Sequence, residues 1–305
     1  MKKITTFISV LLASAAICSA QDSATPSVAM AFAAIPSDPA ALAMGGNTAL
    51  GSSMAWGAAS NVSAVPFSAD TFALEASYQM WQPSSLAGTS NVAAGTSVVL
   101  MDKLGISAAF AMDMAKPYDI INANGSKIGQ FTPSDMMLSF GASYLCADFL
   151  SVGLGAHYMR SALAADYAPT AFGVDVLATA KISSLNAVCG VKSLGTKVDG
   201  FNTPGSIVAA VGYHSTFAED HAVKADAQLD YFLAGGMNVA LGGEYTYAGL
   251  VSARAGYNLG VKGVLPSFAS VGLGVKVFGV SLNAAYLLGS EALANTLTFG
   301  LGYSF

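Results

Sequence analysis

The chain has 305 residues, of which 53% are hydrophobic and only 10% charged, and its formal net charge is −5. A soluble domain carries about a quarter of its residues charged, so this composition argues against a free soluble protein, and the acidic balance excludes a nucleic-acid partner. Beyond the N-terminus, Ser, Thr, Asn, Gly and isolated charges interrupt every apolar run before eighteen residues, which excludes helical membrane spans as well.

The first twenty residues read as an address. Lys2 and Lys3 precede an apolar stretch over 4–17, and Cys18-Ser19-Ala20 then supplies small residues, the layout of a secretory signal peptide cleaved after Ala20. A lipid anchor on Cys18 is the weaker reading, because bulky Ile17 stands where a small residue belongs. Removing Lys2 and Lys3 leaves eleven basic against 18 acidic residues, a mature net charge of −7.

Residues 21–69 do not read as strands. They are rich in Ala, Met and Ser, hold Pro26, Pro36, Pro39 and Pro66, and offer a short helical pattern over 39–44 that Gly45-Gly46 would end. An apolar, nearly uncharged piece of this length needs burial, and the expectation is a hatch inside a barrel lumen, with Met44, Gly45, Gly46, Trp56 and Asn61 as its candidate residues.

From residue 70 onward fourteen strands are expected, over 71–80, 90–101, 104–114, 135–146, 149–160, 170–182, 185–195, 206–217, 222–233, 236–247, 250–260, 268–278, 279–289 and 296–305. Most are long enough for the ~9–11 residues with which a tilted strand crosses a bilayer. The last is the clearest: Leu297, Phe299, Leu301, Tyr303 and Phe305 alternate with Thr296, Thr298, Gly300, Gly302 and Ser304. One face is apolar and the other small or polar, as a strand between lipid and a wet lumen requires. Tyr303 and Phe305 also serve as a candidate signal for the barrel-assembly machinery.

Every second connection is tight, at 102–103, 147–148, 183–184, 218–221, 248–249 and 278–279. The others, at 82–89, 115–134, 161–169, 196–205, 261–267 and 290–295, are longer, except for the short link Ala234-Gly235. Short turns on one rim and long loops on the other characterise outer-membrane barrels, with the short turns in the periplasm. The expected fold is therefore all-β, a 14-stranded antiparallel transmembrane β-barrel in a Gram-negative outer membrane, with outer-membrane lipid as its first partner.

Alternation assigns the faces. Phe72, Leu74, Ala76, Tyr78 and Met80 face lipid in the first strand, Leu104, Ile106, Ala108, Phe110 and Met112 in the third, and Val223, Ala225, Ala227, Leu229 and Tyr231 in the ninth. The same parity turns Glu75, Asp113, His157, Asp175, Lys181, His214, Lys224, Asp226, Asp230, Glu244, Arg254 and Lys276 inward as a polar lumen network, and only Arg160 outward at a strand end. A lipid-facing Lys or Arg at mid-membrane would cost roughly 2–4 kcal/mol. Tyrosines such as Tyr78, Tyr144, Tyr245 and Tyr257 suit the interfacial girdles. Trp81 falls at the outer rim, leaving Trp56 as the aromatic best suited to a solute path.

No catalytic motif, cofactor-binding loop or metal-type spacing emerges, so no enzyme activity, cofactor or metal is expected. Cys146 and Cys189 read as small apolar residues. Asp226 with Asp230, or Glu75 with Glu244, have the composition of carboxylate pairs, but Lys181, Lys224, Arg254 and Lys276 fit a charge-balanced lumen better.

The segment Ile35-Pro36-Ser37-Asp38-Pro39-Ala40-Ala41-Leu42-Ala43-Met44-Gly45-Gly46, then Asn61, then Tyr78-Gln79-Met80-Trp81, resembles the opening of the PorV/PorQ-like outer-membrane proteins, architectural relatives of the FadL-type fatty-acid channels. The resemblance continues through Gly129-Gln130-Phe131-Thr132-Pro133-Ser134-Asp135, Asp175 and Arg254-Ala255-Gly256-Tyr257, and departs where many relatives carry Asn-Pro-Ala and this chain has Asn61-Val62-Ser63. It implies a FadL-like barrel with an N-terminal plug, and a type IX secretion role in which secreted proteins with C-terminal signal domains dock on the long loops 115–134 and 196–205. The alternative is passive uptake of hydrophobic solutes such as long-chain fatty acids, which requires a kinked strand or lateral gap and an apolar pocket beside the hatch. An outer-membrane enzyme is the third class and has no residue constellation behind it.

Overall fold

The structure, a computed structural model, describes residues 28–85, 88–218, 220–289, 293 and 295–305. The expected signal peptide 1–20 lies outside the described residues. Among the described residues sixteen strands follow in order: β1 (Phe72–Trp81), β2 (Thr89–Leu100), β3 (Leu104–Ala115), β4 (Tyr118–Ile121), β5 (Lys127–Phe131), β6 (Ser134–Ala147), β7 (Leu150–Ala162), β8 (Thr170–Ile182), β9 (Leu185–Gly195), β10 (Ser206–Phe217), β11 (His221–Phe232), β12 (Met237–Tyr247), β13 (Val251–Val261), β14 (Phe268–Val277), β15 (Val280–Gly289) and β16 (Leu297–Ser304). Fourteen of them close into one antiparallel barrel; β4 and β5 form a separate two-stranded hairpin.

The fourteen barrel strands lie within two residues of their expected ends. The hairpin corrects the expectation of a plain loop over 115–134. Its strands are four and five residues long, too short to show an apolar period, and its turn is organised by Asn122, whose Oδ1 accepts from the N–H groups of Asn124 and Ser126. Closure is made by β16 on β1, from Ala73 opposite Ser304 to Met80 opposite Leu297. At the short-turn rim the rings of Phe72 and Phe305 lie 5.5 Å apart, and Phe305 exchanges backbone hydrogen bonds with Phe72.

Period-two alternation sets the wall. In β1, Leu74, Ala76 and Tyr78 are exposed, while Ala73, Glu75, Ser77 and Gln79 are buried. Leu154, Phe172, Leu273, Phe299 and Leu301 continue an exposed apolar exterior around the ring. So much outward hydrocarbon has one compatible environment, the interior of a bilayer. Arg160 is exposed on the outward parity near the long-loop end of β7.

Inside the ring lie residues 28–71, threading four short elements: 3-10 turns at Ala31–Ala34, Met54–Trp56 and Val62–Phe67, and one helix, α1 (Pro39–Ala43). Local chemistry fixes α1 at both ends. The Asp38 side chain caps it by accepting from Ala40 N at 2.8 Å, Pro39 occupies its first turn, and Gly45 and Gly46 leave it at φ +74° and +81°, where a Cβ would be strained. All five helical residues are buried.

The wall leaves room for this segment by omitting side chains. A Cβ on Gly242 of β12 would stand 2.6 Å from Met44 Cβ, and one on Gly141 of β6 or Gly153 of β7 would stand 2.6 or 2.7 Å from a Val62 methyl. The interior is therefore several small clusters between segment and wall. One gathers Leu42, Trp81, Leu265, Phe268 and Leu287, another Ala55, Trp56, Ala73, Ala93 and Ala111.

Candidate functional site

Polar ties fasten the inner segment to the barrel. Glu75 of β1, only 2% exposed, accepts from the Ser53 hydroxyl at 2.8 Å, and Asp38 accepts from Ser53 N at the same distance. Lys224 of β11 donates to the Leu50 carbonyl and lies 3.3 Å from Asp226. Gln228 accepts from Ala49 N at 2.7 Å, and Lys192 donates to Thr48 Oγ1 at 3.1 Å. Asn61 donates to Ala49 O and Thr179 Oγ1 while accepting from Ser63, so the segment is anchored there with Val62-Ser63 in place of Pro-Ala.

The remaining lumen residues are distributed among these ties. Glu244 pairs with Arg254, which also donates to Asn283 Oδ1 at 3.0 Å. Asp230 accepts from Gln228 and Ser206. Lys181 and His214 sit on the inward parity close to the short-turn rim and are exposed. Neither sequence-suggested carboxylate pair is a pair: Asp226 has Lys224, Glu244 has Arg254, and Glu75 and Asp230 take neutral donors. Tyr303 points outward, and the Phe305 ring packs at a tilt against Phe72. Met44 and Trp56 are fully enclosed.

At the short-turn rim Lys276 reaches Asp70, two residues before the first strand, at 3.0 Å. Partial burial works to raise the Asp70 carboxyl, but the Ser304 hydrogen bond and the Lys276 ammonium carry it below the usual carboxylate range.

One constellation escaped the sequence reading. Ser139, His157 and Asp175 stand on β6, β7 and β8, with His157 Nδ1 2.8 Å from Ser139 Oγ and Nε2 2.9 Å from Asp175 Oδ1. These are the residue types of a hydrolase relay. The serine is 1% exposed, however, so solute has no access to its oxygen, and Asp175 also accepts from Ser193 N at 2.6 Å where β9 bulges. The trio links β6, β7 and β8 across the buried wall beside this bulge. Shared inward parity was its available signal; the pairing of three strands at one level was not legible in the sequence.

Several cavities border the inner segment among the described residues, and two of them open toward opposite rims. The one toward the short turns, about 270 Å³, is lined by charged and polar groups including Glu75, Glu244, Arg254 and Lys276. The one toward the long loops, about 240 Å³, is walled by Phe32, Ile35, Trp81 and Leu265, with Asp113 and Asp135 at one side. The 262–267 connection folds inward to supply Leu265, held by Asn238, which donates to Leu265 O at 2.8 Å, and by Asn258, which donates to Pro266 O at 2.8 Å. Trp81 thus lines this chamber, which Trp56 does not border. It ends β1 at the outer rim as expected, but its ring turns inward and is 6% exposed, whereas Trp56 is absorbed in packing.

No family model matches the chain, and no curated protein matches it in sequence. Solved structures do match in fold. The Ralstonia pickettii toluene transporter TbuX aligns with a TM-score of 0.59 at 13% identity, covering 90% of this chain and 100% of that one. The P. putida toluene transporter TodX gives 0.60 at 12% identity, over 88% and 98%, and a Pseudomonas aeruginosa FadL homologue gives 0.52 at 13%, over 88% and 95%. The chain thus has the architecture of a FadL-like outer-membrane barrel.

Proposed function

We propose that this outer-membrane barrel admits small hydrophobic solutes passively from the cell exterior, with residues 28–71 acting as the hatch. The observation that carries this reading is the outer chamber. An apolar cavity of about 150 Å³ is enough to hold benzene, so a chamber of about 240 Å³ between Phe32, Ile35, Trp81 and Leu265 suits a one-ring or short-chain molecule. Two further features support it: the β9 bulge at Ser193, where the ladder shifts, and the likeness in fold to toluene transporters. Long-chain fatty acids fit less well, because an anionic head entering this chamber meets Asp113 and Asp135.

Cells lacking the gene should take up labelled toluene more slowly at low external concentration; wild-type protein should restore the rate and Trp81→Ala should restore it only in part. Unchanged uptake in the deletion contradicts the reading.

One observation favours the secretion reading. The outer hairpin β4–β5 projects with Ile121 and Ile128 61% and 65% exposed, an apolar tip suited to protein docking. Crosslinking from 118–131 in native cells that recovers secreted proteins with a common C-terminal domain supports this role; recovery of none removes it.

A further inference from the structure

We infer that the outer chamber takes its solute as a hydrophobic ammonium ion: a one-ring or short-chain body against Phe32, Ile35, Trp81 and Leu265, and a protonated primary amine between Asp113 and Asp135. The inference rests on the solute-admission reading above and names the class of solute.

Asp113 and Asp135 are direct cross-strand partners on β3 and β6, and both border the chamber. Like charges placed opposite each other destabilise a sheet. Asp226, Glu244, Asp175 and Asp70 each have a basic side chain beside them, and Glu75 and Asp230, which take neutral donors, do not face another acid across the sheet. Among the described residues no Lys, Arg or His forms an ion pair with Asp113 or Asp135.

The surroundings are also rich in acceptors. Asn91 donates to Asp113 at 2.9 Å, the Thr89 hydroxyl reaches the same carboxylate at 3.5 Å and the Ser161 hydroxyl donates to Asp135, while directly behind Asp113 the Oδ1 of Asn91, 3% exposed, meets no donor among the described residues. A buried acceptor without a donor is costly. A primary ammonium brings three N–H donors and a positive charge on one atom, and the Phe32 and Trp81 rings favour a cation with an apolar body. A bare or hydrated metal ion suits the place less, since the facing wall offers hydrocarbon, and among the described residues no group of three or more His, Cys, Asp or Glu is placed to hold one.

The test is calorimetric titration of the full-length protein in lipid nanodiscs at neutral pH with 2-phenylethylamine, its neutral counterpart propylbenzene, and anionic 3-phenylpropionate. The expected result is binding of the amine at least about tenfold tighter than propylbenzene, with the carboxylate weakest. In Asp113→Asn/Asp135→Asn the amine should fall to the level of propylbenzene while propylbenzene itself is unchanged. If that variant fails to form a heat-resistant barrel on gels, the single Asp135→Asn, at the less buried of the two, should show the same loss in part. Equal binding of amine and propylbenzene to the wild type overturns this inference and leaves the hydrophobic-solute reading standing; binding of neither overturns both.

Discussion

Ser270 of β14 holds the end of α1 through both functions of one hydroxyl: it accepts from Gly45 N at 3.0 Å and donates to Ala43 O at 2.9 Å. The barrel wall thereby supplies the helix termination that the chain's own backbone leaves open at that point. Ser270→Ala strips both bonds and leaves a buried N–H unpaired, a cost of about 1–3 kcal/mol. In planar bilayers the variant should show more frequent opening events than wild type, with unchanged single-event amplitude. Identical opening frequencies would mean that Ser270 does not hold the segment in place.

Gly242 tests the same closure sterically. A Leu there would drive its Cβ into Met44, and overpacking of a filled interior costs about 1–3 kcal/mol. Because the strand is bonded on both sides and α1 is five residues long, the segment should yield before the wall. Gly242→Leu is expected to form a heat-resistant barrel in which residues 28–71 become cleavable by added protease. A barrel whose segment remains protected contradicts this.

The Asp70–Lys276 pair carries a small pH dependence. The folded Asp70 carboxyl lies below its ordinary value of 3.8, so the native state holds fewer protons than the unfolded chain between those two limits. Its contribution is complete above the ordinary carboxylate range and is lost as pH falls through the lowered folded value. Both side chains are substantially open to solvent, so the effect is about 0.5 kcal/mol or less. Asp70→Asn should lower neutral-pH stability by up to that amount, and its difference from wild type should vanish as pH falls below the carboxylate range. A change that appears only above neutral pH would contradict the assignment.

The barrel was legible in the sequence because its signal is local. Alternation in segments such as Leu297 to Phe305 needs no knowledge of neighbours, and it placed Glu75, Asp226 and Arg254 inward along with most other charges. Strand β4 was not legible because four residues, Tyr118–Ile121, cannot display a period. Gly141, Gly153 and Gly242 serve to admit Val62 and Met44 through contacts that span about 80 to 200 residues of sequence, which no local pattern shows. The outer chamber depends on the same kind of distance: Phe32, Trp81, Asp135 and Leu265 meet only after the ring has closed. Asp113 stood out by parity alone, but the carboxylate facing it could be identified only once β6 was paired with β3 rather than with the intervening hairpin.

The most direct test of solute admission uses the chamber's own indole. The chain has two Trp residues, so Trp56→Phe leaves Trp81 as the sole indole reporter, at the wall of the outer chamber. Titrating this variant in nanodiscs with toluene should give a saturable change in Trp81 emission that Ile35→Trp, by filling the cavity, weakens at least tenfold when followed by calorimetry. A linear, unsaturable response that matches partition of toluene into the surrounding lipid would contradict the account.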